Sequence, residues 1–266
     1  MSPRWRSETA ILLTPTRVAL RQSVRGLRPA PAHVAGLALD GAERHWEAPL
    51  AALDGLLAAA RGRGGEASVV LSSHFVRYCL VPPSDLLATR EDEVRFAQQN
   101  FVRIHGAAAE GWSVRVGPGL AGGAAVASGV ERALVDGLRA LLARHGLRPR
   151  ALQPALMALF NRARGELPAA ACRVVALEPG IAVSALLAPG WRELRSQRVP
   201  GPLGEALEPL LARERALEDE ESAGIETRVL PLLPFAAAAA LGEGVRVLEP
   251  GWNESPADAA GEREAA

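Results

Sequence analysis

Four side chains in one short stretch, His74, Tyr78, Cys79 and Asp85, have the types needed for a nucleophile and its base. A cysteine beside a histidine can be activated as a thiolate. The spacing argues against that use here. The run Phe75 to Val81 reads as a strand, and an odd separation along a strand sends His74 and Cys79 to opposite faces. The stretch is therefore read as a strand with mixed faces. Arg77 offers a planar fork for a partner's carboxylate, and is read instead as pairing with a local acid. His33 and His45 lie in separate strand-like runs, while His105 and His145 sit near helix C-termini, where a cation complements the dipole. No histidine or cysteine pair has i,i+4 or Cys-x-x-Cys spacing, so no metal site is expected.

Composition removes several classes of chemistry. All 30 basic residues are arginine, so neither a Walker-type phosphate loop nor a Schiff-base lysine is available. They balance 30 acidic residues, leaving no sequence-wide field to attract nucleic acid or anionic lipid. Arg61-Gly62-Arg63 is read as a loop and Glu218 to Glu221 as a solvated helix end. The only cysteines, Cys79 and Cys172, lie far apart in apolar runs and do not suggest a disulfide framework. The longest apolar run, Val229 to Leu241, is broken by Pro231 and Pro234 and is shorter than the roughly 20 residues that span a bilayer. Met1 to Glu8 has no signal-peptide pattern, so a cytoplasmic protein without its own membrane span is expected.

One layout of turns occurs twice. Ala10 to Leu13 and Arg17 to Arg21 flank Thr14-Pro15-Thr16; His33 to Leu39 and Ala42 to Trp46 flank Asp40-Gly41; a helical run from Pro49 to Ala60 follows. In the second half, Arg173 to Leu177, Ile181 to Leu187 and Trp191 to Gln197 are separated by Glu178-Pro179-Gly180 and Ala188-Pro189-Gly190, before a helical run from Leu203 to Leu217. Proline presets φ in such turns and glycine supplies φ > 0. Two meander-plus-helix units predict a two-lobed α/β fold, each sheet burying a face under helices. The first hairpin turn of each unit is where chemistry would sit.

Between the units, Val69 to Leu71 and Phe75 to Val81 read as strands ended by Pro82-Pro83. Thr89 and Asp92 form a capping box for a helix to His105, with Val94, Ala97, Phe101 and Ile104 facing a sheet. Trp112 to Val116 and Ala124 to Ala127 read as a strand pair. Ser128 and Glu131 read as a second capping box, opening a helix from Val130 to His145 whose Leu134, Leu138, Leu141 and Leu142 form one stripe closed by Gly146. Pro154 opens a helix to Arg164. From Gly251 the chain turns small and polar, predicting a disordered tail at 251–266.

Duplicated strand-hairpin-strand-helix lobes resemble the actin-like ATPase superfamily, whose core is the ribonuclease H-like fold. The run Val70-Leu71-Ser72-Ser73-His74-Phe75-Val76-Arg77-Tyr78-Cys79-Leu80-Val81-Pro82 resembles the PilM-like and GspL-like branch. The helix Glu91 to His105, Ala125-Val126-Ala127-Ser128, Arg144-His145-Gly146-Leu147, Leu152-Gln153-Pro154, Ala155 to Phe160 and Ala236 to Gly242 follow in that branch's order. The resemblance implies a first lobe at 1–165 with an insertion at about 72–153, and a reduced second lobe at 166–250. It also implies a cytoplasmic component of a type IV pilus or type II secretion platform, peripheral to the inner membrane. Its partner would be a cytoplasmic segment of an inner-membrane protein, bound in a groove near the first lobe.

Active members of the superfamily use an Asp and a Gly in each first hairpin to hold magnesium and admit phosphates. Here the first hairpin, Ile11-Leu12-Leu13-Thr14-Pro15-Thr16, has neither, and Pro15 deletes a backbone donor. The second, Ala176-Leu177-Glu178-Pro179-Gly180, keeps one carboxylate, too few to rebuild a magnesium site. Thr14, Thr16, Glu178 and Gly180 are thus the positions of a vestigial nucleotide site. No catalytic residue and no cofactor is expected, and the leading reading is a non-catalytic scaffold. The alternative is a divergent ATPase or phosphotransferase that still binds ATP and magnesium through Glu178. A homodimeric structural protein is a third reading.

Overall fold

The computed structural model describes residues 6–25, 33–40, 45–60, 64–217, 224–236 and 244–252. In chain order the elements are β1 (Arg6–Leu13), β2 (Arg17–Arg25), β3 (His33–Ala38), α1 (Glu47–Ala59), β4 (Gly65–Leu71) and β5 (Val76–Val81). Then follow α2 (Arg90–His105), a short 3-10 turn, β6 (Trp112–Val116), β7 (Ala125–Glu131), α3 (Arg132–Arg144), β8 (Leu147–Pro154) and α4 (Ala155–Ala163). The last are β9 (Cys172–Glu178), β10 (Ile181–Leu187), β11 (Trp191–Arg198), α5 (Leu203–Ala216), β12 (Glu226–Pro231) and β13 (Val245–Val247). The expected strand at Ala42 to Trp46 falls mostly outside the described residues, as do Arg61 to Arg63, Glu218 to Glu221, most of Ala236 to Gly242 and most of the tail.

The chain divides into two compact units. One holds residues up to Phe75 together with Glu131–Pro154; the other holds Val76–Val130 with Ala155–Trp252. Of the stretch 72–153, Val76–Val130 belongs to the second unit, whereas α3 and β8 return to the first sheet. Helix α4 begins the second unit and packs on β9 and β12.

In the first unit the sheet order is β3-β2-β1-β4-β8. The meander β1-β2-β3 is antiparallel, and β4 and β8 add to it in parallel. Helices α1 and α3 pack on this sheet and on each other. The α3 stripe Leu134, Leu138, Leu141 and Leu142 is buried as its spacing predicts. Gly146 ends the helix at φ 69°, a left-handed conformation in which glycine has no Cβ to strain.

The second unit repeats the order as β11-β10-β9-β12-β13, with the same antiparallel meander and parallel additions. Val175, Leu177, Ala182 and Val229 from its sheet meet Leu203, Leu207, Leu210 and Leu211 of α5. Val76–Val130 of the same unit forms a small sheet, β5-β7-β6, covered by α2 through Ala97 and Phe101. Thr89 and Asp92 make the expected reciprocal capping box. Ile104 does not face the sheet but is 59% exposed, since it lies in the last turn of α2, beyond the cluster that Phe101 fills. Within this unit β5 lies against β11, and Ala124 bridges to Trp191.

One helix start departs from expectation. Ser128, Gly129 and Val130 stay in β7, paired with Tyr78, Arg77 and Val76, and α3 starts only at Arg132 without a side-chain cap. Strand pairing satisfies backbone groups that the capping box would have left for side chains, and the Ser128 hydroxyl instead reaches the Arg115 carbonyl.

Candidate functional site

The positions singled out for phosphate chemistry occupy two hairpin turns, one in each unit. In the first unit, Thr14 is buried at the end of β1. Its Oγ1 donates to the Arg17 carbonyl at 2.9 Å and accepts from the Arg17 N–H at 2.9 Å, while the Thr14 N–H donates to the same carbonyl. The hydroxyl thus closes its own turn. Pro15 brings no N–H, and Thr16 is exposed, its carbonyl accepting from the Leu39 N–H that ties β3 to the turn.

In the second unit, Glu178 ends β9 and is only 1% exposed. Pro179 and Gly180 make the turn, with Gly180 at φ 83° as a proline-then-glycine turn requires. The Gly180 carbonyl accepts from the Val199 N–H. Glu178 is the one carboxylate found in either turn.

In the stretch from His74 to Cys79 the two side chains sit in different elements. His74 lies in the turn before β5, where its N–H donates to the Ser72 hydroxyl, and Cys79 is buried within β5. Burial pushes the Cys79 thiol up, opposed by a hydrogen bond with Asn100. Burial does the same to Cys172. A thiol raised in this way is the poorer nucleophile, because the thiolate is the reactive form. Among the described residues, no group of three or more His, Cys, Asp and Glu side chains could hold a metal ion.

Sequence reading missed the strongest polar constellation. Glu214 of α5 faces the second sheet, where it accepts from Arg173 of β9 at 3.0 Å, Ser184 of β10 at 2.6 Å and Gln197 of β11 at 2.6 Å. Arg173 and Glu214 are almost fully buried. The signal was present: Glu214 continues the spacing of Leu203, Leu207, Leu210 and Leu211 on the inward face, and Arg173 interrupts an apolar run.

No protein-family model and no curated protein matches the sequence. Solved structures do match it. A Bacteroides thetaiotaomicron protein of unknown function, described as having an actin-like ATPase fold, aligns with a TM-score of 0.62 at 11% identity, over 97% of this chain and 96% of that one. The chain has the actin-like ATPase fold. Its form resembles that of the cytoplasmic domain of EpsL, an inner-membrane component of the Vibrio cholerae type II secretion system, with a TM-score of 0.56 at 11% identity over 97% and 96% of the two chains. A structure of the PilM-PilN type IV pilus biogenesis complex aligns with a TM-score of 0.57 at 16% identity over 86% and 82%. The repeated strand order of the two actin-like sheets explains the duplicated turns of the sequence. Among the described residues, no helix is long and apolar enough to cross a membrane.

Proposed function

We propose that this chain is a non-catalytic adaptor of an inner-membrane assembly platform for a type IV pilus or a type II secretion system. In this reading it works in the cytoplasm, held at the membrane by a cytoplasmic segment of a membrane protein bound in a groove near the first lobe. The reading draws on the fold shared with cytoplasmic EpsL and with PilM. The observation that carries it is the β1–β2 turn, where a threonine hydroxyl is spent on closing the hairpin and no acid or glycine is present. A magnesium-phosphate site needs oxygen ligands and free backbone donors at that place.

Glu178 supports a second reading, a divergent nucleotide-binding protein with one remaining acid. Calorimetric titration with ATP and magnesium separates the two. The adaptor reading expects no heat and no shift in melting temperature up to millimolar nucleotide. Micromolar binding that disappears in Glu178→Ala would replace it with the nucleotide reading. Co-purification with the cytoplasmic tails of membrane proteins encoded nearby tests the partner; recovery of none would count against the adaptor.

A further inference from the structure

Two open grooves run beside helices of this chain, and their charges differ. The groove between α3 and β8 in the first unit has a volume of about 220 Å³. Its arginines are already neutralised, Arg139 by Asp136 at 3.3 Å and Arg150 by Glu8 at 3.0 Å. The groove between the end of β11 and α5 in the second unit is larger, about 380 Å³. Val199, Ala206 and Leu210 give it an apolar floor, and three prolines line it as well. Arg198 and Arg213 are exposed on it, and neither has a carboxylate partner among the described residues. Glu205 is the single acid of the lining. Elsewhere in this unit Arg90 pairs with Glu93 and Arg195 with Glu193, while Arg103 and Arg192 bond to an amide oxygen and a backbone carbonyl.

We propose that the β11/α5 groove is a docking surface for an extended, acidic segment of a partner protein, with apolar or proline side chains between its carboxylates. Pro200, Pro202 and Pro209 bring apolar rings and no backbone donor to the groove, which suits an extended segment that itself contains proline. Unpaired guanidinium forks at the sides match carboxylates in geometry and charge. The groove is also preformed. Gln197, which lines it, is fixed by Glu214, and Glu214 is held in turn by Arg173 and Ser184. A rigid floor loses little entropy when a segment docks. β11 ends its sheet, and its other side is bridged at Trp191 by Ala124. This surface belongs to the second unit and stands apart from the first-lobe groove of the adaptor reading.

The test uses the full chain and a fluorescein-labelled peptide of three Pro-Glu-Leu triplets, followed by anisotropy, with a Pro-Lys-Leu peptide as its control. Saturable binding of the acidic peptide is expected, weakening with added salt and falling about tenfold or more in Arg198→Glu/Arg213→Glu. Both positions are exposed, and circular dichroism checks that the variant keeps its fold. The proposal is overturned by no saturable binding up to millimolar peptide, by equal binding of the lysine peptide, or by binding that the double reversal leaves unchanged. A labelled oligothymidylate binding as tightly as the acidic peptide would overturn it in favour of nucleic acid. Self-association abolished by the double reversal would assign the groove to a second copy of this chain. None of these outcomes bears on co-purification with membrane-protein tails.

Discussion

In the β1–β2 turn the closing group is a side chain, the Thr14 hydroxyl bonded to both backbone groups of Arg17. In the β9–β10 turn it is backbone geometry, with Gly180 at φ 83° and a buried carboxylate, Glu178, just before it. The strands around them are alike: the described residues of β1 and β2, like β9 and β10, are buried or half-buried, and the third strand of each meander, β3 or β11, is largely exposed or half-buried. A single topology has thus been kept twice while the chemistry at equivalent turns diverged. Strand order follows from hydrogen bonding and apolar burial, which many sequences satisfy. A phosphate site needs particular groups left unspent, and the first turn spends its own on the hairpin.

The buried network of the second unit gives the sharpest way to break the comparison, since the described residues of the first unit include no buried ion pair. Glu214→Ala leaves Arg173 charged and buried, and is expected to destabilise the protein by about 3–5 kcal/mol, read by urea denaturation. Replacing both partners, Arg173→Met with Glu214→Leu, should recover most of that loss, because neither charge is then stranded. A double variant as unstable as Glu214→Ala would mean that packing of these side chains, rather than the stranded charge, sets the cost.

The two turns themselves come next in size. Gly180→Ala places a Cβ in the left-handed region and should cost about 1–2 kcal/mol, with no loss of hydrogen bonds. Thr14→Val keeps the shape of the side chain but removes the hydroxyl from a buried turn, at a cost of about 1 kcal/mol. If the turns close as described, hydrogen exchange at the Arg17 amide should quicken in Thr14→Val and stay unchanged in Gly180→Ala. Equal exchange in both variants would show that the hydroxyl is dispensable to the hairpin.

Much of this architecture was legible where local chemistry decides it. Pro179-Gly180, the Thr89 and Asp92 capping box and the α3 leucine stripe each act within a few residues, so the sequence carries them directly. β8 was not legible. Leu147–Pro154 contains Pro149 and has mostly exposed side chains, and its pairing with β4 shifts register at that proline, so no alternation marks it as a strand. Ser128 to Val130 misled for a related reason, since a local capping signal was overridden by pairing with β5, distant in sequence. At the candidate site, the missing acid of the first turn was readable directly from the hairpin residues Ile11 to Thr16. That the Thr14 hydroxyl is consumed, and that Arg173 and Glu214 meet, depends on tertiary placement.

The smallest expected effect concerns an exposed counterpart of that buried pair. Asp54 of α1 lies 2.6 Å from His145 Nε2 and 3.1 Å from an Arg144 nitrogen at the end of α3. The hydrogen bond with His145, more than the nearby charges, holds the Asp54 carboxyl below its ordinary value of 3.8. A carboxyl lowered by folding stabilises the protein while ionised. Its contribution is fully present above 3.8 and is lost as the pH falls below that value towards the folded one. Asp54→Asn should therefore be slightly less stable than the unchanged protein near neutrality, with the two urea midpoints converging as the pH drops through this window. Solvent screens the exposed pair, so added salt should shrink the difference, while the loss caused by Glu214→Ala should persist. Midpoints that stay parallel throughout the acid range would mean that the link from Asp54 to His145 contributes no stability, and that helices α1 and α3 are held by their apolar contact and by the hydrogen bond from Trp46 to Glu131 at their other ends.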